Sequence, residues 1–364
     1  MIARGFTTYR WMIDFEYEGM VETAVVLLLA SLLRLVYQRL IRPPPPRICG
    51  APGGPPVTAP RVKLRGGRHL AYLETGVPRA AAAHKIIFVH GFDSCRHDVL
   101  PASQDLLRRL GACVVSYDRP GYSESDPDPC QTERSSALDV QDLADQLGLG
   151  DRFHVVGFSR GEQVVWSCLV HIAHRLAGAA LVPPVSNFWW RGFPGGGVSR
   201  RAYAAQLPQD RWAVSVARHA PWLVYWWNTQ RWFPPSSLIA RDRRVYSPPD
   251  LDVISKLAAA AGPRRRPHKA EVKQQRVFEA LHRDMIVAFG EWDCSPLELS
   301  NPPPGVAVHL WHGADDRVVT PAMSRHIARQ LPWIRYHGVP DAGHLFMLAD
   351  GMADRIVKTL VLGD

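Results

Sequence analysis

A serine flanked by glycines, set between a strand and a helix, constrains this chain more than any other feature. Phe153 to Val156 (FHVV) is a short β-branched and aromatic run, Glu162 onward (EQVVWSCLVH) reads as a helix, and Gly157-Phe158-Ser159-Arg160-Gly161 lies between them. To turn from strand to helix in so few residues, the positions two before and two after Ser159 must lack bulk, and both are glycine. The serine then projects at a helix N-terminus, where the peptide dipoles favour developing negative charge. Such a turn requires a buried strand before it and a packed helix after it.

The surrounding sequence supplies that setting. Arg61–Leu64 and His69–Leu73 flank Gly66-Gly67 and read as a hairpin. Lys85–Val89 (KIIFV), Ala112–Tyr117 (ACVVSY), Ala179–Val182, Val306–Trp311 and Arg335–Val339 read as further strands, with helical segments such as Asp139–Leu147 and Glu162–His174 between them. Strands spaced by helices predict an α/β fold with a mostly parallel central sheet covered on both faces. The alternation stops between Ser186 and Asn301, a stretch that holds eight of the twelve tryptophans. It reads as a helical insertion over the sheet, its aromatics packing it onto its support or roofing an apolar pocket. The expected organisation is therefore an extension over 1–20, an apolar helix over 21–41, a Pro/Gly-rich linker over 42–60, the core over 61–185 and 301–364, and a Trp-rich helical lid over 186–300.

Composition narrows the partners. A formal charge of +9 is moderate and scattered; its one tight run, Arg264-Arg265-Arg266, lies between prolines. No basic helix with interleaved aromatics accompanies it, so no nucleic-acid partner is expected. The six cysteines form no C-x-x-C pair, and Cys113 and Cys168 sit in apolar runs. They read as free thiols, with neither a disulfide framework nor a zinc-ligand spacing. His171 and His174, three apart, read as a helix face rather than a metal site.

Near the N-terminus Thr23 to Leu33 (TAVVLLLASLL) is apolar, continued by Leu35-Val36-Tyr37 beyond Arg34. The run fits an uncleaved membrane anchor, with a cleaved signal or an amphipathic surface helix as alternatives. Pro43 to Pro46 and the Gly/Pro-rich stretch to Pro60 read as a stiff spacer. Arg39, Arg42 and Arg47 follow the run against Arg4 and Arg10 before it, which puts the following domain on the cytosolic side. Whether translation starts at Met1 or Met20 stays open.

The chemistry is expected at three loops. Ser159 is the candidate nucleophile. The backbone N–H of Arg160, and that of Phe92 in His90-Gly91-Phe92 after KIIFV, are candidate donors to an oxyanion. The base and its acid should follow in the order Ser, Asp, His. Asp316 in Gly-Ala-Asp-Asp-Arg-Val-Val is favoured over Asp315, and His344 in Asp-Ala-Gly-His is the base, its proton exchange with Ser159 eased by small neighbours. Arg160 and Glu162 read as a charged pair at the mouth of the site, able to narrow access or tilt the helix. No cofactor is required.

In this order HGFDSCRHD, YDRPGYSESDP, GFSRG, HGADDRVV and DAGH resemble the α/β-hydrolase superfamily over about residues 61–364. The Trp-rich stretch (NFWWRGF, APWLVYWWNTQRWFP, LHRDM) is similar to a plant branch of single-domain serine hydrolases with an N-terminal membrane anchor. The resemblance implies hydrolysis of an ester-like bond without a cofactor and leaves the substrate undefined; the Trp-rich insert and the apolar N-terminal helix point to an apolar small-molecule or lipid ester at a membrane. A serine at 159 separates the chain from epoxide hydrolases and haloalkane dehalogenases, which use aspartate there. Asp118 in YDRPGYSESDP reads as the organiser of a strand-end turn. A ligand receptor built on the same scaffold, turning over slowly or not at all, and an acyltransferase stand as alternatives.

Overall fold

The computed structural model describes residues 3–194, 197–261 and 270–363; the Arg264–Arg266 run lies outside them. The chain forms two units, Met1–Pro43 and Pro44–Asp364. The first is a helix, α1 (Ala3–Val36), continued by a wider helical turn over Tyr37–Ile41. Its Met20–Ile41 stretch is 22 residues long with a mean hydropathy of 1.9, long and apolar enough to cross a membrane.

The second unit is built on eight strands: β1 (Arg61–Lys63), β2 (His69–Gly76), β3 (His84–Val89), β4 (Ala112–Tyr117), β5 (Phe153–Phe158), β6 (Leu176–Val182), β7 (Ala307–Gly313) and β8 (Ile334–Val339). They lie in the order β1-β2-β4-β3-β5-β6-β7-β8. β1 and β2 form the expected hairpin and β2 pairs antiparallel with β4; all remaining pairs are parallel. The connecting helices are α2 (Gln104–Leu110), α3 (Glu133–Gln146) and α4 (Glu162–His171), followed after the insertion by α11 (Pro321–Gln330) and α12 (Met352–Leu362).

Both faces of the sheet are covered. Ile87, Val89, Val155 and Leu181 point into one apolar layer with Val140 of α3, Trp166 of α4 and Ile327 of α11. Ile86, Phe88, Val156 and Ala180 point into the other with Leu106 of α2 and Ile356 of α12. Neighbouring residues on a strand thus serve opposite layers, which is why the parallel strands read as unbroken apolar runs rather than as alternating ones.

Between β6 and β7 the chain carries α5 (Val198–Ala204), α6 (Pro208–His219), α7 (Val224–Thr229), α8 (Ser237–Ala240), α9 (Pro248–Ala261) and α10 (Arg283–Phe289), and no strand among the described residues. Ala213, Ala217, Val224 and Met285 give this insert a small core of its own, against which Phe92 of the β3 loop packs. Its tryptophans divide. Trp190 is buried edge-on to Trp166 and Trp292, fixing the insert to α4. Trp212, Trp222 and Trp232 are 61%, 59% and 73% exposed.

The stretch expected as a spacer differs from that expectation. Residues 47–60 fold onto the second unit: Cys49 is buried, its N–H donates to Gln275 Oε1 at 3.0 Å, and the Thr58 and Ala59 N–H groups donate to Glu124 at 2.7 and 3.0 Å. Buried carboxylate and amide acceptors waiting on the domain surface bind this backbone, so the boundary falls at Pro43 rather than at Pro60. All six cysteines are unpaired, and Cys113 and Cys168 are in the core. The α4 helix ends at His171, so His174 lies in the following turn rather than on a shared helix face.

Candidate active site

β5 runs to Phe158, and Ser159 takes a left-handed backbone, φ 52°. A residue other than glycine is uncommon there and costs of order 1–3 kcal/mol. The flanking glycines are there for space. A Cβ on Gly157 would sit 2.6 Å from Glu162 Cα and from the Gly161 carbonyl, and one on Gly161 would sit 2.2 Å from the Val89 carbonyl. The strand–helix turn therefore closes only over two hydrogen atoms. The register pairs Val89 with Gly157, which brings the loop after β3 alongside the serine.

His344 and Asp316 come to the same point from the loops after β8 and β7. These loops are tied together by the Asp315 N–H donating to the Ala342 carbonyl at 2.9 Å. His344 Nδ1 lies 2.8 Å from Asp316 Oδ2, and its Nε2 lies 2.8 Å from Ser159 Oγ. Facing a carboxylate, Nδ1 carries the proton, so Nε2 is free to accept from the serine hydroxyl. Asp316 is buried and Asp315 exposed, and only the former is held in place, its Oδ1 accepting from the Val318 and Val319 N–H groups at 2.8 and 2.9 Å.

The electrostatics follow the geometry. Burial would lift the Asp316 carboxyl, but His344 and His312 outweigh it and hold it well below the usual carboxylate range. Burial would lower the His344 imidazole, but the Asp316 charge and hydrogen bond, helped by Asp250, raise it above its ordinary value.

Three further residues support this centre, and none stood out in the sequence. His312 Nε2–H points at Asp316 Oδ2 (3.1 Å) and the Val319 carbonyl (3.0 Å), while its Nδ1 accepts from Ser324 Oγ at 2.7 Å. Its signal was there to find: it opens the HGADD run, four residues before Asp316. Asp250, buried on α9, accepts the Leu345 N–H at 2.7 Å and so clamps the loop that carries His344. Asp284, buried on α10, accepts from both terminal nitrogens of Arg119 (2.5 and 2.7 Å) and from the Tyr122 hydroxyl (2.8 Å). Both of these carboxylates come from the insert, where no local pattern announces them.

Asp284 also corrects the expected pairing at the elbow. Arg160 Nε lies 3.1 Å from Asp284 Oδ1, and Glu162 is fully buried. The two do not form a pair at the mouth of the site: Arg160 turns to the insert, while Glu162 is buried at the start of α4. Burial pushes the Glu162 carboxyl well above its ordinary range against the pull of Arg160. Burial would likewise lift Asp284, but Arg119 and Arg160 hold it below its usual value.

The candidate oxyanion donors sit on braced backbone. Arg119 donates from Nε to the His90 carbonyl (3.1 Å) and from a terminal nitrogen to the Gly91 carbonyl (2.9 Å). Those bonds fix the segment leading to Phe92. His90 itself donates from Nδ1 to the Gly91 carbonyl and accepts the Arg119 N–H at Nε2; burial and then Arg119 push its imidazole down to about 3, so it stays neutral. A Cβ on Gly91 would lie 3.3 Å from Ser159 Cβ, so this loop abuts the serine directly. Asp118 organises the neighbouring turn through Arg96 and the Arg96 and Glu124 N–H groups.

A sequence model of the alpha/beta hydrolase family matches residues 86–359. The fold is similar to that of the enol-lactonase from Burkholderia xenovorans LB400, with 19% identity, a TM-score of 0.54 and 84% of this chain covering 100% of that one. A hydrolase from Pseudomonas aeruginosa PA01 aligns with 20% identity, a TM-score of 0.53 and 84% of this chain on 98% of its own. The esterase RhEst1 from Rhodococcus sp. ECU1013 gives 17%, 0.53, 83% and 98% in the same order. At such identities the likeness to solved structures speaks for the fold alone. None of the curated proteins compared matches the sequence.

Proposed function

The chain belongs to the alpha/beta hydrolase family, and on that premise we propose that it is a serine hydrolase cleaving a carboxylic or lipid-type ester through an acyl-enzyme on Ser159. The observation that carries the reading is the relay of hydrogen bonds from Ser159 through His344 to Asp316, each 2.8 Å long. In this reading His344 Nε2 takes the hydroxyl proton as Ser159 Oγ bonds to the acyl carbon. The oxyanion is held by the Phe92 and Arg160 N–H groups. The imidazolium, stabilised by Asp316, returns the proton to the departing alkoxide. A water then repeats the sequence and releases the acid.

The substrate class follows from two kinds of support. The fold is similar to that of an enol-lactonase and an esterase, which favours a small ester or lactone. The apolar Met20–Ile41 helix and the exposed tryptophans favour one drawn from a membrane. Trp212 contacts Trp227, Trp232 contacts Trp226, and Phe233 stacks on Trp227, with ring centroids 5.8, 6.0 and 5.6 Å apart. An exposed aromatic cluster of this kind suits the headgroup level of a bilayer. In this reading α1 is a single-pass anchor, the following domain lies on the cytosolic side, and the 186–300 insert is the lid over the ester.

A fluorophosphonate probe tests the proposal. Wild type should label stoichiometrically at Ser159, and Ser159→Ala and His344→Ala should not label. Absence of labelling in folded wild-type protein would overturn it and favour a binding protein on the same scaffold. A panel of p-nitrophenyl esters of increasing acyl length would then define the preferred chain.

A further inference from the structure

On the far side of α4 from the serine, three candidate metal ligands converge from distant parts of the chain. Glu133 opens α3, His171 closes α4, and Cys294 lies in the segment returning from α10 to β7. Their ligand atoms all lie within 4.8 Å of one another, the one such grouping of three among the described residues. Cys294 Sγ is 3.9 Å from His171 Nε2. Glu133 is buried, and the other two are half-buried.

The donor chemistry is selective. Thiolate, imidazole and carboxylate together suit zinc, with bonds of about 2.3, 2.0 and 2.0–2.2 Å to sulfur, nitrogen and oxygen. Tetrahedral bonds of those lengths put the ligand atoms roughly 3.3–3.6 Å apart. The sulfur–nitrogen spacing of 3.9 Å exceeds this by a few tenths of an ångström and no spacing exceeds 4.8 Å, within the reach of side-chain rotation. Cys294 has no disulfide partner. The Asp293 charge bears on both His171 and Cys294 and adds counter-charge for a cation; Arg134 and Arg191 oppose it, and Arg191 is already paired with Glu298 at 3.0 Å.

We propose that Glu133, His171 and Cys294 form a site for one zinc-class divalent cation, with a water in the fourth position. Binding exchanges the Cys294 thiol proton for the metal: the S–H bond breaks, the sulfur–metal bond forms and one proton leaves to solvent. The ion joins α3, α4 and the end of the insert, where the Asp293 N–H already donates to Glu133 Oε1 at 3.2 Å. Ten residues of α4 separate it from the elbow, about 15 Å along the helix, so its role is to fasten the insert rather than to take part in ester cleavage.

The test uses the full-length protein in detergent, stripped with chelator, and titrated with Co²⁺ alone and Zn²⁺ alone. Wild type should take one equivalent of Co²⁺ with a thiolate-to-cobalt charge-transfer band and tetrahedral visible bands, and Zn²⁺ should displace it and raise the melting temperature. Cys294→Ser should lose the charge-transfer band and the thermal response, while Cys130→Ser, altering an exposed cysteine elsewhere, should behave as wild type. His171→Gln and Glu133→Gln should each weaken cobalt binding at least about tenfold, and Cys294→Ser should keep wild-type esterase activity. A wild type without the charge-transfer band, or a Cys294→Ser protein binding Co²⁺ as wild type does, would overturn the proposal. Should Cys294→Ser fail to fold, His171→Gln decides: an unchanged cobalt spectrum and affinity rule the site out.

Discussion

The Arg160 guanidinium lies 3.1 Å from Oδ1 of Asp284, so the residue following the serine is braced by the insert rather than by its own helix. Through Arg119 the same carboxylate also holds the loop leading to Phe92. One side chain of α10 thus supports both candidate oxyanion donors.

Asp284→Asn should expose that coupling. It strips the shared counter-charge from two buried guanidiniums, and breaking such a pair costs about 3–5 kcal/mol, so the melting temperature falls. We expect kcat to drop by up to about 10²-fold, the scale of losing one oxyanion donor, with KM little changed. An unaltered kcat in the destabilised but folded variant would mean that the cluster serves the fold alone.

Asp316→Asn should lower kcat by about 10⁴-fold, as expected when the base is left in the wrong tautomer. Asp315→Asn should be mild, because Asp315 is exposed and only Asp316 meets His344. His312→Gln should fall between them. Equal losses at 315 and 316 would remove Asp316 from the proposed role.

His344 works as a base only when neutral, and Asp316 and Asp250 favour its protonated form. The acid limb of kcat/KM should therefore have its midpoint above the ordinary histidine value of about 6.5. Asp250→Asn removes one of the two charges and should move that midpoint down. A midpoint that stays put would assign Asp250 to loop support only.

Glu162 predicts a pH-dependent stability. Its folded-state carboxyl is raised, so above the unfolded glutamate pKa of about 4.3 the unfolded chain binds fewer protons than the native one. Stability contributed by this group is then present in acid and lost as pH rises towards the folded value. Glu162→Gln should melt like wild type in acid and at a higher temperature at neutral and alkaline pH. Parallel melting curves across pH would refute the neutral buried carboxyl.

For the N-terminal helix, carbonate extraction should leave full-length protein in the membrane pellet, and deletion of residues 1–43 should move it to the soluble fraction. Cutting at residue 60 instead would remove backbone donors that Gln275 and Glu124 accept, and that shorter protein should aggregate.

The sequence made the sheet legible because its parallel strands are buried on both faces and its turns carry their own steric requirements. Ser159, Asp316 and His344 were readable for a related reason: each sits in a short motif whose glycines leave a local mark. Asp250 and Asp284 were not readable, since carboxylates that act on partners 95 and 165 residues away leave no spacing to count. The same holds for Glu133, His171 and Cys294, whose grouping exists only once α3, α4 and the insert are packed. Glu162 reads in the sequence as half of a charged pair at the mouth of the site, because a charged residue is expected to seek solvent; the tight elbow fixes the direction of α4 first and leaves Glu162 no such choice.

The left-handed backbone at Ser159 places the most reactive side chain where the polypeptide would be most relaxed with none. Glycine at this position would relieve the strain and still close the turn, so folding and chemistry rank the two residues in opposite order. A library sorted only for heat resistance would drift towards the inert chain, and efforts to harden this protein have to hold position 159 fixed from the outset.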